Sequence, residues 1–301
     1  MAGFVRTVRP LRSAAAAALL VLAMTAPAAA QQHFPSDAAI REVRLDQPVA
    51  ELLPDPRYPV SPAGLRRAFV VLPIVLAALL VAAVGAAWHR TGATPIRSAV
   101  AALAVAVGLL LWLSVTHVAA AAGWLRFGPP RPTMLILFAA LVTLSVGLGA
   151  SPVGRRLSSG LPLAVLVASQ SFRLPLEWML HRAYLSGLMP VQMSYSGLNF
   201  DVFSGASSIV VAILLATGHA GLRTARLWNL AATLLLCNIV VIALLSAPTP
   251  FRLFRNEPAN VWVTMPPYVW LPAVMVAFAI LGHVVIFRRL RADRRLAHPN
   301  S

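Results

Sequence analysis

Seven near-continuous apolar stretches divide the chain, and polar positions fall mainly in the short segments between them. The stretches are Ala68–Trp88, Ala99–Ala122, Thr133–Ala150, Leu161–Leu180, Val202–Ala220, Trp228–Ala247 and Tyr268–Phe287. Each is about 20 residues, the length a helix needs to cross roughly 30 Å of hydrocarbon. The alternative spanning structure, a closed barrel, would alternate apolar with polar residues, and these stretches do not. The pattern predicts an all-α fold: a polytopic transmembrane helical bundle of about seven spans over residues 63–290.

The flanks carry different patterns. Arg6, Arg9 and Arg12 precede a short apolar core from Ala14 to Met24, and Ala28–Ala30 supplies small residues. This reads as a signal peptide over residues 1–30, cut after Ala30 or kept as an anchor. Residues 31–62 hold five of the nine acidic residues with several prolines and too few apolar positions for a core. They read as an extracytoplasmic arm. Residues 291–301 read as a basic cytoplasmic tail.

Composition agrees. Of 301 residues, 59 % are hydrophobic and 11 % charged, with mean hydropathy +0.77, against about a quarter charged in soluble domains. The net charge of +16 would suggest nucleic acid in a soluble protein. Here the basic residues sit at the ends of apolar stretches, where positive charge sets topology, so the partner they imply is the lipid bilayer. Arg90, Arg97, Arg155, Arg156, Arg223, Arg226 and the Arg-rich tail fall on one side. Arg126, Arg131, Arg182, Arg252 and Arg255 fall on the other, with Arg66 and Arg67 as the main dissent. The balance predicts a bacterial inner-membrane protein with its N-terminus outside and its C-terminus in the cytoplasm.

One stretch breaks the apolar pattern. Gln170, Arg173, Glu177 and His181 recur at spacings of three and four, so a helix places them on one stripe with Pro175 between them. Buried ionisable groups cost several kcal/mol unless paired, and the spacing predicts an Arg173–Glu177 ion pair. Arg182, Gln192, Asn199 and Asp201 follow. A second polar segment before the last span adds Arg252, Arg255, Asn256, Glu257 and Asn260. Both segments fall on the predicted outer side, which predicts an extracytoplasmic-facing polar pocket built from both.

The phrases FRLPLEWMLHRAYLSGLMPVQMSYSGLNFD and NEPANVWVTMPPYVWLP, at residues 172–201 and 256–272, resemble a group of bacterial multi-pass membrane proteins carried as an uncharacterised family. The resemblance covers residues 65–290. It implies that the two phrases belong together and supplies no activity or residue roles.

Three functional classes remain. Binding or transport of a small anionic or zwitterionic ligand would use Arg173, Arg182, Arg252 and Arg255, with Gln192 and Asn199 orienting it. Sensing or assembly fits the same pocket. A b-type haem protein would need histidines paired by depth, His117 with His181 and His283 with His219 or His89. An enzyme would use Glu177 and His181 as acid and base, or as a metal pair completed by Asp201 or Glu257. No HExxH, GxSxG or phosphate loop occurs. All 25 basic residues are Arg, so a retinal Schiff base is excluded, and the single Cys237 excludes an internal disulfide and a cysteine-based metal site. The oligomeric state is open.

Overall fold

The computed structural model describes residues 61–297, with side chains to Asp293, and every regular element among them is helical. The signal peptide and nearly all of the arm lie outside the described residues, as do the last four residues of the tail. In chain order the helices are α1 (Ala63–Arg90), α2 (Pro95–Ala121), α3 (Thr133–Ala150), α4 (Pro152–Gly160) and α5 (Leu163–Ala168). They continue as α6 (Arg173–Leu185), α7 (Val202–Ala216), α8 (Leu222–Leu245) and α9 (Ala277–Ala297). A six-residue π-helical segment, Leu271–Val276, leads into α9.

Five of these are long and apolar enough to cross a membrane: α1, α2, α3, α8 and the last helix counted from Leu271 to Asp293. Their outward faces are apolar as well. Ile96, Leu103, Leu110 and Val115 of α2 are all exposed, the reverse of a soluble surface and what lipid contact requires. Only 6 % of the apolar window of α2 is buried, against 56 % for the last helix, so α2 is peripheral and α9 central. The last helix packs against α3, α4, α5 and α8.

Local sequence explains the departures from the expected spans. The fourth stretch is not one uniform helix. Pro175 has no N–H to return to Ser171 and its ring crowds that carbonyl, and the chain tightens into a 3-10 turn over Ser169–Phe172 before α6 begins. The expected cytoplasmic loop at Arg155 and Arg156 is instead the short helix α4. Ser151 caps it by accepting from the Val153 amide at 3.1 Å, and Pro152 occupies its first turn, where no N–H is needed. Helix α7 stops at Ala216, and Gly218 follows with φ 77°. In the π-helical segment, the Ala273 carbonyl accepts from the Trp112 indole at 3.0 Å, which ties α2 to the last helix.

Two arginines serve as helix caps. Arg288 Nη1 donates to the carbonyls of Gly149 (3.2 Å), Ala150 and Ser151 (3.0 Å), which close α3. Arg289 Nη1 donates to the Ser158 carbonyl near the end of α4, at 3.0 Å. C-terminal carbonyls lack intrahelical donors and carry the negative end of the helix dipole, so a guanidinium stabilises them doubly.

Buried apolar side chains form two clusters. One holds Phe69, Phe172, Leu236, Trp262 and Met275, the other Val84, Leu157, Val167, Trp228 and Ile286. Gln170, Arg173 and His283 are buried together as a polar layer of this core, Arg173 within hydrogen-bond reach of His283 and Gln170 against Gly282.

Candidate functional site

Helix α7 reaches this layer by presenting small residues. Ser204, Gly205, Ser208 and Ala212 form its buried face, and a Cβ at Gly205 would lie 2.4 Å from the Leu174 amide nitrogen. Small side chains let two backbones approach, as in membrane bundles generally. The approach sets Asp201, just before α7, against Arg173 at the start of α6.

Arg173 is 1 % exposed and makes no ion pair with Glu177, correcting the pairing expected from their spacing. Its Nε donates to Asp201 Oδ2 at 2.6 Å and its Nη2 to Asp201 Oδ1, a bidentate fork. The physical reason lies in side-chain direction. Helical side chains lean toward the N-terminus, so Arg173 leans away from Glu177, and the cation-before-anion order is the poorer one at this spacing. Nη1 reaches His283 Nε2 at 2.9 Å, and both terminal nitrogens reach the Ala232 carbonyl at 3.4 Å. Since Nη1 can only donate, His283 Nε2 accepts and Nδ1 carries the proton. Nδ1 then donates to Asn229 Oδ1 at 2.7 Å, and Asn229 Nδ2 returns a bond to the His283 carbonyl at 3.3 Å.

Glu177, also 1 % exposed, is held from the other side. Asn199 Nδ2 donates to its Oε2 at 2.6 Å and to the Met193 carbonyl at 3.0 Å, while Asn199 Oδ1 accepts from the Asp201 amide at 3.0 Å. One amide therefore positions both buried carboxylates.

The two polar segments do meet. Asn256 Nδ2 donates to Gln192 Oε1 at 2.8 Å, and Gln192 Nε2 donates to Ser246 Oγ at 2.8 Å. Asn260 Nδ2 donates to the Ala243 carbonyl at 2.9 Å. Arg252 pairs with Glu257 at 3.1 Å on the half-exposed rim, where such a pair adds little. Below this cap lies a chamber of about 90 Å³. Its wall is apolar, with Phe127, Phe138, Phe172 and Met275 among its side chains, and Arg173, Glu177, Asp201 and Asn260 supply its polar part.

Not every expected residue joins the chamber. Gln170 is fully buried beside α9, where a Cβ at Gly282 would lie 2.1 Å from its Nε2, and neither amide atom has a partner among the described residues. His181 is half-buried, stacked on Tyr195 at 4.2 Å with Nδ1 3.2 Å from Ser196 Oγ. Arg182 and Arg255 are exposed and do not line the chamber.

The histidines are placed apart in character. His117 tilts against Trp270 at 5.6 Å, His219 is exposed beside Thr217, and both ring nitrogens of His283 are engaged. Among the described residues no three or more His, Cys, Asp or Glu side chains gather as a metal-holding group.

Asn229 and Ser246 were missed in sequence. Asn229 lies within a membrane-length apolar helix, a position that marks a functional or pairing role by default. Compared with protein-family models, with curated proteins and with solved structures, the chain finds no match.

Proposed function

We propose that the chain is a seven-pass protein of the bacterial inner membrane, N-terminus outside and C-terminus in the cytoplasm. In this reading it holds a small ligand in the chamber under its outer segments, for transport or for sensing and assembly. The family resemblance of the two phrases is part of the same proposal. Seven passes are supported by adding two helical stretches to the five long helices. Residues 163–185 run through α5, the 3-10 turn and α6, about 34 Å at 1.5 Å per residue. Helix α7 covers about 22 Å of the roughly 30 Å hydrocarbon, and the residues that flank it would complete the pass. Orientation is supported by the arginines that cap α3 and α4, on the side predicted to be cytoplasmic.

The observation that carries the ligand reading is the chamber itself. A mostly apolar cavity is the general form of a small-molecule site, and here the two sequence-distant segments that contribute Met193, Asn260 and Val263 to its lining are joined through Gln192 and Asn256. Structural ion pairs need no such space.

The test is native mass spectrometry of protein extracted with its surrounding lipid. A stoichiometric small molecule should accompany the unchanged protein and be lost from Ala243→Trp, which fills the chamber. Identical spectra for the two proteins would overturn the reading.

A further inference from the structure

Resting on the ligand reading above, we infer that the ligand is an amphiphile of the bilayer, which enters sideways between α3 and α8 and lodges the end of its hydrocarbon chain in the chamber. The lining decides the chemistry. Arg173, Glu177, Asp201 and Asn260 border the chamber, but the surface it presents to an occupant is almost wholly apolar. The polar atoms are turned to one another instead. All five N–H donors of Arg173 are directed at Asp201, His283 and the Ala232 carbonyl, and Asn199 holds Glu177. A charged or hydrogen-bonding group placed here would lose its water and gain no partner. Water itself fares no better, because it needs about two to four polar partners and apolar cavities stay dry. Hydrocarbon is the chemistry that remains.

Access selects the source. Helices α3 and α8 both pack against the last helix, and their lining residues Leu135, Phe138, Val240 and Leu244 are only half-buried. On the same two helices Ile136 and Leu234 are exposed. The mouth thus lies on an apolar flank, where a bilayer supplies hydrocarbon chains as the solvent. A chain that leaves the bilayer is already out of water, so what it gains is the van der Waals contact that the lining of an empty chamber forgoes.

Size sets how much enters. The chamber, at about 90 Å³, is smaller than the roughly 150 Å³ cavity that takes up one benzene molecule, so it holds a chain end and leaves the head group outside.

The backbone of the wall carries an independent sign. Leu271, Pro272, Met275 and Val276 all line the chamber, and all belong to the six-residue π-helical segment. A π turn is a rare departure from the α-helix that recurs at functional sites, and here it falls where the last helix faces the void.

The test is photolabelling of the full chain in lipid nanodiscs, with the labelled residues mapped by peptide mass spectrometry. One probe is a phospholipid with a diazirine at the end of its chain. A second phospholipid carries the diazirine beside the head group, and a third probe is a diazirine-bearing zwitterionic amino acid dissolved in water. Met275 and Leu236 line the chamber and are 0 % and 6 % exposed, so a label there comes from inside it. Leu103 and Leu110 on α2 are exposed and report general contact with lipid. The chain-end probe should label Met275 and Leu236 at least about tenfold more than the head-group probe does. That labelling should saturate as the probe content rises, while labelling of Leu103 and Leu110 rises in proportion. Ala243→Trp should abolish the first and spare the second. Equal labelling of the chamber by the two phospholipids would overturn the inference. If the amino acid labels Met275 and Leu236 as well as the chain-end probe or better, the inference fails while the ligand reading survives. If no probe labels them, both fail. The comparison on the unchanged protein decides the matter even if Ala243→Trp does not fold.

Discussion

Replacing Asp201 by Asn keeps the shape of the side chain and removes the charge that neutralises a guanidinium with 1 % of its side-chain surface exposed. The amide oxygen of the replacement could still accept one bond from Arg173, but the second arm of the fork would face an N–H₂ group. Removing one partner of a buried pair costs about 3–5 kcal/mol, because the remaining charge is neither solvated nor balanced. Arg173→Met should cost a similar amount by stranding Asp201 and taking the donor from His283. The double change Arg173→Met/Asp201→Asn leaves no buried charge behind at this pair. It should therefore cost about as much as either single, a coupling of about 3 kcal/mol or a factor of about 10² in the folded-to-unfolded ratio. The assay is unfolding in mixed micelles titrated with sodium dodecyl sulfate and followed by tryptophan fluorescence. A parallel cycle with Glu177→Gln in place of Asp201→Asn should show weaker coupling, since Arg173 makes neither a hydrogen bond nor an ion pair with Glu177. Additivity within about 0.5 kcal/mol in the first cycle would refute the pairing, as would stronger coupling in the second.

Two further outcomes are expected. Gly205→Ala should sharply reduce the yield of folded protein, because the new Cβ would meet backbone atoms of Leu174 that cannot give way; Gly108→Ala, with nothing within 4 Å, should be neutral or gain up to about 1 kcal/mol, and equal yields from the two would refute the close approach. Reporter fusions at Ser158 and after Arg295 should report cytoplasm, and those at Gly128, Tyr195 and Asn260 the exterior; an exterior signal at Ser158 would invert the proposed topology.

The long helices were legible because their length and apolarity are properties of one continuous segment. The N-terminus of α4 was equally legible in Ser151–Pro152, a capping residue followed by a first-turn proline, yet its arginines made it look like a connecting loop. The partner of Arg173 was not legible. Glu177 lies one turn away and Asp201 lies 28 residues away, and only the packing of α7 on α6 decides between them. The meeting of the two polar segments could be anticipated from the single membrane face predicted for both, but the specific latch between Gln192 and Asn256 could not. The chamber wall was hidden for a different reason. Phe138 and Val240 facing a cavity have the same composition as Val100 and Leu103 facing outward, so apolarity does not distinguish an interior void from a lipid-facing surface.

The reach of Arg173 along the chain bears on how the protein is made. Its acceptors lie 28, 59 and 110 residues downstream, at Asp201, Ala232 and His283. A ribosome delivering the chain in order presents the guanidinium to the bilayer before any of them exists. On the proposed topology residues 163–185 form a span with Arg173 at its centre, where insertion through the translocon costs about 2.5–3.5 kcal/mol, a cost Arg173 meets alone until Asp201 emerges. Helices α5 and α6 are therefore poor candidates for entering lipid as an independent unit, whereas a hairpin of α5, α6 and α7 enters with its charge already matched. His283 arrives last and closes the network from the central helix. The same helix carries Arg288 and Arg289, which cap α3 and α4, so a truncation before it would leave both the buried arginine and the early helix ends unfinished.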